Sequence, residues 1–184
     1  MHTRLTRRSL LATGTAGFVG ATAGCSGSGG EPDDAPDDGD EPDPDLRVDD
    51  RFLSPAFPIE FVEPDFEEST GFAGDARIAY VHWHGADSSH WHQSPLELVA
   101  GEPRVGRTRF LIEGADAIPL GPDESFSQSV GPTEDTPPGL LTATVDGDRV
   151  ELTASEPGDG ALSFELRADG QRRWKSPPLP VEIS

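Results

Sequence analysis

Between residues 50 and 184, the apolar side chains come in short runs that alternate with polar ones and never follow a helical repeat. The clearest run spans residues 162–168, where single polar or charged residues separate Leu162, Phe164 and Leu166. A side-chain period of two is the signature of a strand with one buried face. Glycine, proline and aspartate separate the runs, as expected of tight turns. The pattern predicts an all-β domain over residues 50–184.

Two β-hairpins stand out within this domain. One turns at Asp146-Gly147 and the other at Asp169-Gly170, and each turn lies between two apolar runs. So many short strands with turn signals at regular spacing predict an antiparallel β-sandwich of immunoglobulin-like type. Further strands are expected near residues 58–62, 76–84, 107–113, 125–130 and 179–183.

The prolines near the C-terminus predict where the last strand lies. Pro177, Pro178 and Pro180 place it at a sheet edge, because a missing N–H costs little there. The chain has one cysteine and so no internal disulfide, which leads us to expect a wholly apolar core. The candidate core residues are Ile78, Phe110, Ile112, Phe126, Val145, Leu152, Phe164, Leu166, Trp174 and Val181.

Residues 1–24 have the features of an export signal. Arg7 and Arg8 precede a weakly apolar stretch that ends at Ala23, which resembles a twin-arginine signal peptide. This stretch is too short and too rich in glycine to span a membrane. The sequence Thr-Ala-Gly-Cys ending at Cys25 resembles a lipobox, in which cleavage exposes a cysteine that carries a lipid. We therefore expect an exported protein that is lipid-anchored to the outer face of the cell membrane through Cys25, with secretion without a lipid as the alternative.

Residues 25–49 form an acidic segment. Nine acids and four prolines fall within residues 26–45, with almost nothing apolar to bury, and this composition predicts a disordered tether. The whole chain has a formal net charge of −20, and only Lys175 among its 14 basic residues is a lysine. A field of that sign repels phosphates, so nucleic acid is not expected as a partner.

All four histidines that follow the predicted signal lie within residues 82–92, as two His-Trp-His triplets around a five-residue spacer. Residues i and i+2 of a strand share a face, so His82 and His84 share one, as do His90 and His92. If the spacer is a hairpin loop, His84 opposes His90 and His82 opposes His92, with Cβ atoms about 4.5–5.5 Å apart. The four imidazoles are then expected in one patch, with the two tryptophans on the opposite face.

Such a patch suits a metal ion. Zinc takes neutral imidazole and favours four ligands, while cupric copper also accepts imidazole, so zinc and copper both stay open. Asp87 is a candidate supporting acid. A blue-copper centre is excluded, because it needs a thiolate and usually a methionine, and the one methionine is the initiator. Two alternatives remain: two separate histidine doublets, or a tryptophan-bearing loop whose histidines make ordinary polar contacts.

Two resemblances to known families bear on these motifs. The residues His82-Trp83-His84-Gly85 resemble the first copper motif of multicopper oxidases, but the His-Cys-His segment of that family is absent. A broader resemblance is to haloarchaeal lipoproteins that are exported by the twin-arginine route and have a histidine-containing immunoglobulin-like domain. In them a His-Trp-His segment precedes a Pro-Leu-Glu strand, as at residues 95–97. Their chains end in Trp, Pro-Pro and Pro-Val motifs, as at residues 174–181.

This resemblance covers most of residues 76–184 and implies a cell-surface lipoprotein of a halophilic archaeon. The acidic composition, with arginine preferred over lysine, is similar to that of proteins from salt-loving archaea. Relatives of this kind carry further histidines in their C-terminal hairpins, whereas residues 142–152 have none. That difference weakens the zinc-handling role that the resemblance implies.

The sequence does not predict an enzyme. It contains no G-x-S-x-G, P-loop or H-E-x-x-H motif. Ser88 and Ser89 lie beside His90, but chain neighbours rarely adopt the geometry of a nucleophile and its base, and such a base would need an orienting acid. Two functions stay open. One is capture of zinc or copper at the cell surface, with a metal transporter or another surface protein as the partner. The other is an immunoglobulin-like interaction or envelope-structural module with no metal role and no other cofactor. The sequence does not indicate an oligomeric state.

Overall fold

The computed structural model describes residues 43–184. The predicted signal peptide with Arg7 and Arg8, the predicted lipidation site Cys25 and the tether up to residue 42 lie outside the described residues. Within them, the only helical segments are two 3₁₀ turns, Pro44–Leu46 and Gly74–Ala76. No helix in residues 43–184 is long and apolar enough to cross a membrane.

Thirteen strands make up about half of the described chain. They are β1 (Arg47–Val48), β2 (Arg51–Phe52), β3 (Ile59–Val62), β4 (Arg77–His82), β5 (His90–His92), β6 (Leu96–Leu98), β7 (Arg104–Phe110), β8 (Phe126–Pro132), β9 (Leu141–Asp146), β10 (Arg149–Ala154), β11 (Gly158–Ala168), β12 (Gln171–Lys175) and β13 (Leu179–Ile183).

The longer strands form two sheets around one hydrophobic core. The first sheet has the order β5-β4-β3-β7-β10-β9, and the second has the order β12-β11-β13-β6, with β8 paired to β11. Aromatic rings from the two sheets meet between them, since the ring of Phe164 lies 5.8 Å from Phe61 and 5.3 Å from Trp91. The predicted all-β fold of antiparallel sheets is confirmed, and its two facing sheets are compatible with an immunoglobulin-like sandwich.

Both predicted hairpins are present. Strands β11 and β12 turn at Asp169-Gly170, where both residues have positive φ, as expected for a tight hairpin turn. Strands β9 and β10 also form a hairpin, but Asp146 pairs with Arg149, which places this turn one residue later than predicted, at residues 147–148.

The last strand is not at an edge, contrary to the prediction from its prolines. Strand β13 lies between β11 and β6, and its pairing with β6 is the one parallel pairing of two strands in the described residues. That pairing begins at Val181, beyond the last proline of the segment. The prolines are therefore tolerated because they precede the part of the strand that β6 covers.

Most of the predicted core residues are buried, but Ile78, Ile112 and Val145 are only half-buried and pack against the core.

Two residues of the N-terminal acidic segment also belong to the core, which the composition of that segment did not indicate. Leu46 and Val48 are each 1% exposed, although both lie within the segment predicted as a tether. Residues 43–49 therefore belong to the folded unit, which begins before residue 50, because two apolar side chains among the acids are enough to dock this segment.

A buried ion pair lies on the face of β3 that points away from Phe61. Glu60 is fully buried, and its Oε2 accepts a hydrogen bond from Arg109 at 2.7 Å, while the Ala73 N–H lies 3.3 Å from both carboxylate oxygens. Arg109 also donates to the Gly71 carbonyl at 2.9 Å. The loop of residues 63–76 thus covers the pair. The prediction of a wholly apolar interior is wrong, because two charged residues are buried together with their hydrogen-bond partners.

Burial raises the pKa of the Glu60 carboxyl above its ordinary value, against the opposing effects of Arg109, the Ala73 N–H and Arg77. A carboxyl with a raised pKa in the folded state binds its proton more tightly there than in the unfolded chain. Its contribution to the free energy of unfolding therefore falls as the pH rises through that pKa. At neutral pH the positive charges of Arg109 and Arg77 offset the free-energy cost of burying the Glu60 carboxylate.

Replacing Arg109 with methionine should leave Glu60 buried without its closest counter-ion. We expect the free energy of unfolding, measured by urea denaturation at neutral pH, to fall by about 3–5 kcal/mol. The loss should shrink at mildly acidic pH, because a protonated carboxyl needs no counter-ion.

Arg172→Met is the matched control, since Arg172 is 58% exposed and lies 3.5 Å from Glu165 at the surface. It should cost less than about 1 kcal/mol. Equal losses for the two variants, or a loss in Arg109→Met that does not depend on pH, would contradict this account.

Candidate metal centre

The two His-Trp-His triplets lie on the hairpin of β4 and β5 at the edge of the six-stranded sheet. We call residues 77–92 the histidine hairpin. His82 pairs with His90, and Tyr80 pairs with His92. The predicted pairing is therefore wrong by two residues, because β4 ends at His82 and the connection spans seven residues rather than five. A shift of two residues preserves the alternation, so the histidines stay on one face.

The structure brings all four predicted histidines together in what we call the histidine patch. The centroids of His82 and His84 lie 4.3 Å apart, and those of His90 and His92 lie 4.9 Å apart. Across the hairpin, His82 lies 5.5 Å from His92 and His84 lies 5.7 Å from His90. The two doublets therefore form one cluster, which excludes the alternative of two separate doublets.

The two tryptophans face the other way, as predicted. Trp91 is buried, its ring lies 5.3 Å from Phe164, and its indole N–H donates to the Pro177 carbonyl at 2.8 Å. Trp83 is half-buried, with its ring 6.1 Å from Trp174 and its indole N–H donating to Asp43 Oδ2 at 2.7 Å. The tryptophans thus fasten the hairpin to the body of the domain.

Two serines shape the loop between the triplets. Ser89 Oγ accepts from the His84 N–H at 2.9 Å and donates to the Gly85 carbonyl at 2.6 Å, while Ser88 Oγ donates to the His84 carbonyl at 2.7 Å. The sequence drew attention to these serines only as neighbours of a histidine. Their structural role follows from the tendency of serine to hydrogen-bond nearby backbone groups in turns.

Asp87, the predicted supporting acid, is exposed in the same loop. No hydrogen bond or ion pair joins it to a histidine among residues 43–184.

The neighbours of His90 and His92 indicate how one ring nitrogen of each residue is hydrogen-bonded. His90 Nδ1 lies 3.3 Å from the Ser88 carbonyl, and because a carbonyl only accepts, we assign the proton of the neutral ring to Nδ1, so that Nε2 carries the lone pair. His92 stacks on Tyr80 with centroids 5.0 Å apart and an interplanar angle of 7°. Its Nε2 is buried and has no hydrogen-bond partner among residues 43–184. An unpaired buried polar atom is costly, so a ligand that paired with this nitrogen would remove that cost.

Burial and the neighbouring histidines His84, His92 and His90 lower the pKa of His82 below its ordinary value of 6.5. The imidazole of His82 therefore stays neutral to a lower pH than a free histidine. Neutral imidazole is the form that binds a metal ion.

Aromatic residues that the sequence did not single out border the patch. Tyr80 stacks on His92, the Phe57 ring lies 5.7 Å from His82, and the Arg77 guanidinium lies 4.2 Å above the Tyr80 ring. The position of Tyr80 could have been predicted from the sequence, because Tyr80 lies two residues before His82 on the same strand and so shares its face. The position of Phe57 could not, since it depends on how the chain enters β3.

The rings are close but not convergent. In the part of the chain that the structure describes, no group of three or more His, Cys, Asp or Glu side chains is arranged to hold a metal ion. The rings of His84 and His90 instead lie 19° from parallel. Binding of one shared ion would therefore require the side chains of His84 and His90 to rotate. Both residues are exposed at the surface.

In comparisons with known proteins, no family model matches the chain, and no curated protein is significantly similar to it in sequence.

Replacing His84 with asparagine should raise the pKa of His82 towards 6.5, because it removes a neighbour that opposes protonation. With its pKa lowered in the folded chain, His82 contributes stability that is present above 6.5 and is lost as the pH falls through the lower value. NMR titration of the imidazole Cε1 proton measures the pKa directly. Asp87→Asn, in the same loop, should leave it unchanged, and an identical His82 pKa in the parent and His84→Asn would contradict this electrostatic coupling.

Proposed function

We propose that this chain is a non-catalytic cell-surface lipoprotein of a halophilic archaeon that binds zinc or copper through the histidine patch. The observation that carries the proposal is the position of four imidazoles on one outward face of a hairpin, with ring centroids 4.3–6.4 Å apart. Structural histidines need no such grouping, since burial and the three neighbouring imidazoles lower the pKa of His82, and its contribution to stability is lost as the pH falls through that lowered value.

Two ring nitrogens support metal binding more specifically. With a proton on Nδ1 facing the Ser88 carbonyl, the neutral His90 ring presents its Nε2 lone pair to a ligand, and the buried Nε2 of His92 has no hydrogen-bond partner in the described part of the chain. A backbone carbonyl that orients a histidine through its second nitrogen is a common support for metal ligands. Binding an ion would satisfy the His92 nitrogen, which no group within residues 43–184 pairs.

The donor set indicates which ions suit the patch. Imidazole nitrogen binds Zn²⁺ and Cu²⁺ well, whereas a hard cation such as Mg²⁺ prefers oxygen. His82 and His92 are half-buried, while His84 and His90 are exposed. An ion is therefore accessible from solvent on one side, as suits capture at the cell surface and transfer to a metal transporter or another surface protein.

The proposal predicts near-stoichiometric binding of Zn²⁺ or Cu²⁺ to the full chain after treatment with a chelator, measured by isothermal titration calorimetry in high salt. The double variant His84→Ala/His90→Ala should weaken this binding at least about tenfold, because it removes two of four ligands. Binding should also release protons in the pH range where the histidines titrate.

Asp87→Asn controls for weak binding to carboxylates and should bind like the parent. Heat no greater than such a carboxylate background, unchanged in the double variant, would contradict a metal role.

The second candidate function is an interaction or envelope-structural module without a metal. It draws support from the aromatic contacts of the patch, since His92 stacks on Tyr80 and His82 lies against Phe57. Phe72, whose ring lies 5.0 Å from Phe57, is 45% exposed. This candidate is favoured if the titration finds no histidine-dependent binding.

The export signal and anchor belong to the same proposal and rest on the sequence. Arg7 and Arg8 would direct export by the twin-arginine route, and Cys25 would carry the lipid that holds the domain at the outer face of the membrane. A single acyl chain binds a membrane only marginally, so a second chain is expected at the same cysteine.

Replacing Cys25 with serine should therefore release the chain into the medium, whereas replacing Arg7 and Arg8 with lysine should retain the uncleaved chain inside the cell. Fractionation of cells with immunoblotting measures both outcomes. Ser26→Ala is the control and should stay in the membrane fraction. Cys25→Ser chains that also remain in the membrane fraction would contradict lipid anchoring.

A further inference from the structure

The folded unit begins with a short segment that contacts the histidine hairpin. We call residues 43–53 the N-terminal strap. It contains a 3₁₀ turn and the β1–β2 ribbon, and three of its residues, Leu46, Val48 and Leu53, are each 1% exposed. The Leu53 N–H donates to the Leu46 carbonyl at 2.9 Å, which closes the strap on itself. The strap is therefore docked on the core although it belongs to neither large sheet.

One hydrogen bond joins the strap to the hairpin between two of the proposed metal ligands. The indole N–H of Trp83 donates to Asp43 Oδ2 at 2.7 Å, across 40 residues of sequence. Trp83 lies between His82 and His84, and its ring packs near Trp174. A hydrogen bond to a carboxylate is short and stronger than one between neutral groups.

This bond matters for the hairpin because the strand ladder does not reach Trp83. Strand β4 ends at His82, so the pairing with β5 no longer determines on which face residues 83 and 84 lie. Alternation then links them: if the Trp83 side chain turns outward, its neighbour His84 turns inward. The contacts of Trp83 on the inner side therefore keep His84 on the outer face.

We infer that Asp43 is a positioning residue for the histidine hairpin, so that docking of the N-terminal strap and metal binding at the histidine patch stabilise each other. The inference rests on the proposed metal-binding function for its second half. Coupling of this kind is reciprocal: if an intact strap tightens metal binding by some factor, bound metal tightens docking of the strap by the same factor.

Two substitutions separate this hydrogen bond from the other role of Asp43. Asp43 Oδ1 also accepts from the Asp45 N–H at 2.9 Å and so caps the 3₁₀ turn. Asp43→Ala removes both interactions, whereas Trp83→Phe removes only the indole donor. Asp43→Asn retains a side-chain oxygen as an acceptor and tests rescue. Asp50→Ala is the matched control, because Asp50 is a strap carboxylate with 92% of its side chain exposed.

The experiment titrates Zn²⁺ into the full chain and follows amide hydrogen exchange at Leu46 and Leu53. We expect Asp43→Ala and Trp83→Phe each to weaken zinc binding about five- to tenfold, with Asp43→Asn closer to the parent and Asp50→Ala equal to it. Zinc should slow exchange at both leucines in the parent and do so less in Trp83→Phe. Parent-like zinc affinity in Trp83→Phe, together with strap exchange that does not respond to zinc, would overturn the inference.

Failure of the proposed function gives a different result. If the parent binds no zinc, the proposed metal-binding function is wrong. The positioning role of the Asp43–Trp83 hydrogen bond is then tested by hydrogen exchange of the metal-free chain. Faster exchange at Leu46 and Leu53 in Trp83→Phe than in the parent would then support positioning between strap and hairpin. Unchanged exchange in the metal-free variant would overturn it.

Discussion

The antiparallel pairing of β4 with β5 decides which side chains of the hairpin face the core and which face outward. Because successive side chains of a strand point to opposite faces, each tryptophan that is buried turns the histidines on either side of it outward. Trp91 lies in the core against Phe164, and the side chains of His90 and His92 point to the opposite, outward face as a consequence. The histidine patch is thus a product of the same alternation that builds the core.

The patch is also connected to the most polar part of the interior. A single cross-strand row on the outer face of the six-stranded sheet links the buried ion pair to the patch, with each residue directly opposite the next. From β7 to β5, the row is Arg109, Glu60, Tyr80 and His92. Arg77 joins its two halves, since it lies 3.7 Å from Glu60 and 4.2 Å from the Tyr80 ring. The support beneath the patch therefore depends on a buried charge pair rather than on apolar packing alone.

Local patterns in the sequence were enough to predict much of the fold. Alternation and turn chemistry predicted the hairpins at Gly147 and Gly170, and the gathering of the histidines followed from the same alternation. The register of the histidine hairpin could not be predicted from alternation. It depends on the point at which the chain leaves the strand ladder, where Trp83 hydrogen-bonds to Ala56 and Asp43 instead.

Contacts between residues that are far apart in the sequence also explain why other predictions failed. Glu60 and Arg109 are 49 residues apart, and nothing in either local pattern shows that a loop will bury them together. Leu46 and Val48 are two apolar residues in an acidic stretch, so composition averaged over that stretch concealed their docking. The position of β13 depended on β6, a strand too short to be recognised from alternation.

A patch of four imidazoles, two of them half-buried and two exposed, suits reversible capture of an ion better than a closed structural site. The serine hydrogen bonds of the loop hold the exposed histidines near the half-buried ones. X-ray absorption spectroscopy of the zinc- or copper-loaded chain tests this account most directly. We predict a first shell of nitrogen atoms at about 2.0–2.1 Å with outer-shell scattering from several imidazoles. A first shell of oxygen atoms without imidazole scattering would contradict it.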